Sequence, residues 1–240
     1  MLKSVRIFVS YSNEDRKNVG SLKKSLENLG FEVFIAHDDI NPRSEWQEEI
    51  IKNLQRCDVF IPYLSNDFKN SKWTDQETGI AFAGDKLIIS LQVDVPPYGF
   101  IGKYQGLKIC LNNYGRFDFD ETAEKIANTI ITDEKFKEGM KEFAINSLLN
   151  SGDFSEANAR VKLLKYFEYT KEEINRICEG ILKNNQVYAA YKAKNILREI
   201  LEKYQKIIKP EIYSEITEAL SQGLAYLPPH IREMLKRPES

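Results

Sequence analysis

The first 132 residues alternate short β-branched or aromatic runs with amphipathic helical stretches, and from about Glu134 the strand signal vanishes. Residues 6–11 form a first run of strand length. Ser12 with Asp15 resembles a capping box, and the helix predicted behind it carries Val19, Leu22, Leu26 and Leu29 on one face before Gly30 stops it. Residues 31–36 are a second apolar run, followed by a loop at 37–43 with two acids and a proline. Ser44, with Gln47 three residues on, predicts the start of a helix with Trp46, Ile50 and Leu54 on one face. Residues 58–64 read as a third strand. Pro62 donates no ladder hydrogen bond, so a bulge or an early end to pairing is expected there. Ser71 precedes a helix running from Lys72 to about Gly84. Residues 87–91 and 107–111 complete the strands, separated by a long irregular loop that contains Pro96, Pro97 and Gly99. Phe119, Ala123, Ile126, Ala127 and Ile130 mark a closing helix.

Five strands joined by helices imply a parallel sheet covered on both faces, with a flavodoxin-like, doubly wound layout as the default for right-handed crossovers. Ligands of such sheets sit at the carboxyl ends of the strands, which makes Ser10, the loop 37–43 and the segment 65–73 candidates on one rim. The remaining sequence reads as an all-α domain. Successive helices are signalled by Phe136, Met140 and Phe143, by Ala157, Val161 and Leu164, and by a Thr170–Glu173 capping box. A long fourth helix is predicted over 187–208, a fifth begins at Pro210 and stops at Gly223, and a tail helix follows Pro228 and Pro229. The expected division is an α/β domain over 1–133 and a helical domain over 134–240.

A formal charge of −2 in 240 residues carries no basic excess of the kind a nucleic-acid-binding domain shows, so no nucleic-acid partner is expected. Cys57, Cys110 and Cys178 are odd in number and far apart, and only His37 and His230 accompany them. They are expected to be buried reduced thiols, with no metal site. No stretch approaches the about 20 apolar residues of a membrane span, and no leader is expected before the first strand. A cytoplasmic protein without membrane contact is the expectation.

The first-strand run with Ser12, the loop with Asp38, Asp39 and Ile40, Ser65 after the third strand, and Ser71-Lys72-Trp73 with Glu77 occur in one order and spacing. Together they resemble a prokaryotic TIR (Toll/interleukin-1 receptor) domain over about residues 4–132. Some TIR domains are adaptors that act by self-association; others cleave NAD+ and release nicotinamide. The resemblance to the second kind implies that Glu77, four residues after Trp73, is the catalytic carboxylate. It gives Trp46 a nicotinamide-stacking role and makes Ser10, Tyr11, Asp38 and Trp73 candidate substrate contacts. NAD+ is then substrate, with no cofactor, and the activity is that of a glycohydrolase or cyclase in prokaryotic defence signalling. Assembly through TIR contacts, with the helical domain as an assembly or sensing module open to a partner protein, belongs to the same expectation. The alternative is a non-catalytic scaffold that acts by self-association, and a weaker one is a glycosidase acting on another nucleoside or nucleotide.

The chemistry is consistent with the residues. Nicotinamide leaves ribose as an uncharged pyridine, so the barrier lies in the positive charge building on the sugar, which one carboxylate can stabilise. Trp73 and Glu77 are one helical turn apart, so an indole wall and a carboxylate can share a pocket. Bland readings stand beside these: Glu77 as a surface glutamate, Trp73 and Trp46 as core residues, Asp38 as a loop acid, Ser10 and Tyr11 as residues that only close the strand. GxGxxG is absent after the first strand, which removes hydride-transfer binding of NAD. A response-regulator receiver would need acids where Ser10, Tyr11 and Ser65 stand.

Overall fold

The computed structural model describes residues 4–35, 46–227 and 229, with Trp46 described by its backbone. The expected Ser44 cap, the loop 37–43 and the tail helix lie outside the described residues. The chain divides into two compact units, Met1–Met140 and Lys141–Ser240.

The first unit is built on β1 (Arg6–Ser10), α1 (Arg16–Asn28), β2 (Glu32–Ile35), α2 (Trp46–Arg56), β3 (Val59–Leu64), α3 (Asn66–Asn70), α4 (Lys72–Ala83), β4 (Leu87–Ile88), β5 (Leu91–Gln92), β6 (Leu107–Lys108) and α5 (Phe119–Thr132). Every strand pairs in parallel, in the order β2-β1-β3-β5-β6, with β4 also against β3. This is the doubly wound layout expected from the alternation of strands and helices. β4 and β5 are two halves of the expected fourth strand.

Pro62 explains that interruption. Phe60 pairs with Ile88 and Tyr63 with Leu91, the same offset on both sides, so the register runs through and there is no bulge. Pairing lapses opposite Ile61 and Pro62 because proline has no N–H to give the neighbouring strand. The ladder to β1 is kept, with Pro62 opposite Ser10.

Strand alternation splits β1 between two faces. Phe8 stacks on Phe60 at 5.9 Å and shares a core with Ile50 and Leu54 of α2, Cys57, and Ala81 of α4. Ile7 and Val9 face the opposite side, which α1 and α5 cover as right-handed crossovers require. Gly30, at φ +99°, ends α1 in a conformation an L side chain resists, and its N–H reaches the Glu27 carbonyl at 2.8 Å.

Two expected caps are differently arranged. Ser12 makes no side-chain cap, and residues 13–15 form a 3-10 turn in which the Asp15 carboxylate instead accepts from Ser65 Oγ at 2.5 Å. Ser71 makes no side-chain cap either; its carbonyl accepts from Thr74 Oγ1 at 2.7 Å. The segment expected as a loop after β3 contains α3, started by Ser65, whose Oγ accepts from the Phe68 N–H at 3.0 Å.

The second unit is helical: α6 (Lys137–Leu149) leads into it, followed by α7 (Phe154–Arg160), α8 (Lys171–Leu182), α9 (Asn185–Tyr188), α10 (Tyr191–Tyr204) and α11 (Pro210–Gln222). The Thr170–Glu173 capping box is present in both directions, and Gly223 ends α11 at φ +58°. The long helix expected over 187–208 is broken. Ala190 is extended, and α9 and α10 stand on either side of it. Asn184 starts the short α9 by accepting from the Gln186 N–H at 2.9 Å while its amide donates to the carbonyls of Leu149 and Ser151. Asn158 of α7 then caps α10, its Oδ1 accepting from the Ala193 N–H at 2.9 Å. Cys57, Cys110 and Cys178 are free and buried, and no helix among the described residues is long and apolar enough to cross a membrane.

Candidate active site

Helix α4 runs antiparallel to the strands it covers, and its rise matches theirs. Four helical residues advance about 6 Å and two strand residues about 6.6 Å. Ala81 packs in the core with Phe8, so Glu77, one turn earlier, arrives level with Ser10, two residues later on β1. The two meet: Ser10 Oγ donates a hydrogen bond to Glu77 Oε2. A further turn back carries Trp73 past the end of β1, where the residue is 39% exposed.

Burial then sets the electrostatics. Glu77 is only 5% exposed and Ser10 is fully buried, so the carboxyl has little water to solvate a charge. Desolvation pushes its pKa up to about 7, against the opposing pull of the Ser10 hydroxyl. The neutral and ionised forms are therefore close to balanced at neutral pH. A surface glutamate, the commonest fate of this residue type, is excluded.

The surrounding backbone fixes where α4 begins. Thr74, buried, donates from Oγ1 to the carbonyls of both Phe68 and Ser71 at 2.7 Å, locking the corner between α3 and α4. The loop after β5 straps that corner from outside. Asp94 accepts from the Asn66 N–H at 3.1 Å, and Tyr98 donates its hydroxyl to Asp75 of α4 at 3.0 Å. Ile101 and Leu64 pack with Phe68 beneath the strap, and Val95 and Tyr98 close over it. Sequence reasoning read this loop as irregular only. The tyrosine among its prolines and glycines was the signal that it is anchored.

Of the expected site residues, the fold brings Ser10 and Glu77 into contact and sets Trp73 one turn outward on the same helix. Tyr11, the next residue after β1, is buried and offers a ligand little surface. Asp38 lies outside the described residues, as does the side chain of Trp46, although its backbone opens α2. Ser65 is spent on Asp15 and on capping α3. Among the described residues no three of His, Cys, Asp and Glu converge as metal ligands would.

A family model described as TIR domain matches residues 7–128. Among curated proteins, the Single Ig IL-1-related receptor of mouse (Mus musculus) is 40% identical over 73 residues, covering 29% of this chain and 18% of the receptor. Its human (Homo sapiens) counterpart is 40% identical over 70 residues, covering 28% and 17%. The chain thus spans less than a fifth of the length of either receptor. Among solved structures, the TIR domain of the Toll-related receptor TRR-2 from Hydra magnipapillata aligns with a TM-score of 0.39 at 21% identity, over 42% of this chain and 82% of that one. The CMP N-glycosidase BcmB of Clostridium botulinum aligns with a TM-score of 0.35 at 21% identity, over 50% of this chain and 97% of that one.

Proposed function

The chain belongs to the TIR-domain family, and from that premise we propose that it is an NAD+ glycohydrolase with Glu77 as its catalytic carboxylate. The observation that carries the reading is the Glu77 carboxyl itself: buried, hydrogen-bonded by Ser10, and held at the carboxyl ends of the strands. Among the described residues no cation pairs with it; a buried carboxyl without one destabilises the fold, and such groups gather where chemistry needs them.

Binding of NAD+ brings the cationic nicotinamide ring to the carboxyl, which favours its ionised form. As the bond between nicotinamide and ribose C1′ breaks, its electron pair stays on the ring nitrogen and neutral nicotinamide departs. Positive charge passes to the ribose, where the Glu77 carboxylate stabilises it. At 4 Å and an effective dielectric near 20, a full charge pair is attracted by about 4 kcal/mol, equivalent to about a thousandfold in rate if realised only in the transition state. Water adding at C1′ and losing a proton to solvent gives ADP-ribose. A nucleophile from the substrate's own adenine half gives a cyclic isomer instead. Trp73 supplies an indole face at the rim for the departing ring, and Asp38 and Trp46 belong to the proposed substrate pocket, with the buried Tyr11 behind its wall. Self-association through the TIR unit, with the helical unit as an assembly or sensing module, completes the proposal and assigns it to signalling or defence.

The test is nicotinamide release from NAD+ by the purified chain at high concentration, followed by chromatography that also separates ADP-ribose from its cyclic isomers. Glu77→Gln is expected to lose activity by a hundredfold or more, in the range of other electrostatic catalytic groups. Wild type and Glu77→Gln equally inert in every oligomeric form would leave a non-catalytic scaffold. CMP and free nucleosides run in parallel, and base release from them with NAD+ untouched would transfer the same chemistry to another glycosidic bond.

A further inference from the structure

We propose that Ser10 is a positioning residue for Glu77, acting through that carboxyl and not as a contact for substrate. The inference rests on the glycosidase reading of Glu77 for its kinetic arm, and on the geometry alone for the rest. Ser10 is fully buried, and its Oγ donates to Glu77 Oε2. A serine hydroxyl has one proton to donate, and here it is committed to the carboxylate.

The backbone gives Ser10 little freedom to do anything else. It is the last residue of β1, paired opposite Pro62 of β3, two residues from Phe8 in the core. A buried strand position of this kind holds its side chain in one direction more firmly than a loop would. One carboxylate oxygen, Oε2, is thereby held toward the end of β1, and the other is not engaged by Ser10. The bond also favours the charged form of a carboxyl that burial otherwise holds neutral.

No charged group of the described elements packed on α4 competes for this role. The main described elements packed on α4 are β1, α2, β3, α3 and the turn Gly99–Ile101. Their ionisable groups are Arg6, Glu48, Glu49, Lys52, Arg56, Tyr63, Asp67 and Lys69. Among the described residues, burial and the Ser10 hydroxyl are the causes of the shift at Glu77.

Ser10→Ala and Ser10→Cys are the discriminating pair, since cysteine keeps the shape and weakens the donor. The Glu77 carboxyl is titrated directly, by 13C NMR of side-chain-labelled glutamate with Glu77→Gln assigning the signal. Ser10→Ala is expected to raise its midpoint by about one pH unit, and Ser10→Cys to shift it in the same direction. In nicotinamide release, kcat is expected to fall about tenfold, with KM changed less than twofold and the pH midpoint of activity moving upward with the titration. An unmoved carboxyl midpoint in Ser10→Ala overturns the proposal, as does a raised KM at unchanged kcat, which would make Ser10 a substrate contact. If Ser10→Cys matches wild type in both readouts, the side chain acts by shape and the proposal also fails. A wild-type chain without glycosidase activity would end the functional reading alone, because the carboxyl titration still reads what Ser10 does to Glu77.

Discussion

Trp73 and Glu77 share one face of α4, a single turn apart, yet Trp73 is 39% exposed and Glu77 5%. The step in burial follows from the end of β1, which lies between them. The helix covers sheet as far as Glu77 and projects past it at Trp73.

The buried carboxyl makes folding pH-dependent in a defined direction. Its pKa is about 7 in the folded chain against 4.5 as the unperturbed reference, so between these values the folded form binds more protons. Stability contributed by this group is therefore full below about pH 4.5 and lost as pH rises to 7, a change of about 3 kcal/mol. Glu77→Gln does not titrate, and its amide can still hydrogen-bond the Ser10 hydroxyl, which both donates and accepts. The variant is expected to match wild type in thermal unfolding near pH 4.5 and to exceed it by several degrees at pH 8. A gap that stays constant across that range would mean the carboxyl is solvated in the folded chain.

The same titration governs catalysis under the proposed mechanism. The ionised carboxylate is the active form and the leaving group needs no proton, so kcat/KM for NAD+ is expected to rise through a midpoint near pH 7 to a plateau. A single sigmoid results instead of a bell. The kcat profile should lie lower on the pH scale, because bound nicotinamide cation favours the charged carboxylate. Initial rates from pH 5 to 9 check this. A descending alkaline limb in kcat/KM would require a general acid that the mechanism does not contain.

Trp73 separates a pocket wall from a packing residue. Stacking of an aromatic ring on an indole is worth about 1–3 kcal/mol, so Trp73→Ala is expected to weaken substrate binding about tenfold or more, with Trp73→Phe retaining most of it. Trp73 is 39% exposed and outside the core clusters, so truncation should lower the unfolding temperature by only a few degrees. A large fall in that temperature with unchanged KM would make it a packing residue.

The sheet was legible because its strands are short β-branched runs spaced by amphipathic helices, and that pattern leaves few topologies. Residues 87–91 were legible as one strand, while its division was implicit in Pro62, whose missing N–H faces its middle. Periodicity set Glu77 and Trp73 on one face but said nothing of depth. Depth depends on where α4 starts against β1, and that is fixed by α3, by the two hydrogen bonds of Thr74 and by the Tyr98 strap, all of them non-periodic. Asp38 and the Trp46 side chain, which the resemblance also drew into the site, lie outside the described residues.

The break between α9 and α10 was illegible for a related reason, and it carries the last prediction. Ala190 stands at the N-cap of α10 with no side chain to cap it, so local sequence predicts an uninterrupted helix. The acceptor comes instead from Asn158, on α7, which receives the Ala193 N–H at 2.9 Å. Removing a helix N-cap costs about 1 kcal/mol, and Asn158→Ala is expected to lower the urea midpoint of the helical unit accordingly. Asn158→Asp keeps the acceptor and adds a negative charge beside the positive end of α10, so at pH 7 it should be at least as stable as wild type. At pH 3, with the carboxyl protonated, that advantage should disappear. If Asn158→Asp at pH 7 is as unstable as Asn158→Ala, the side chain serves α7 packing and the split of the long helix has another cause.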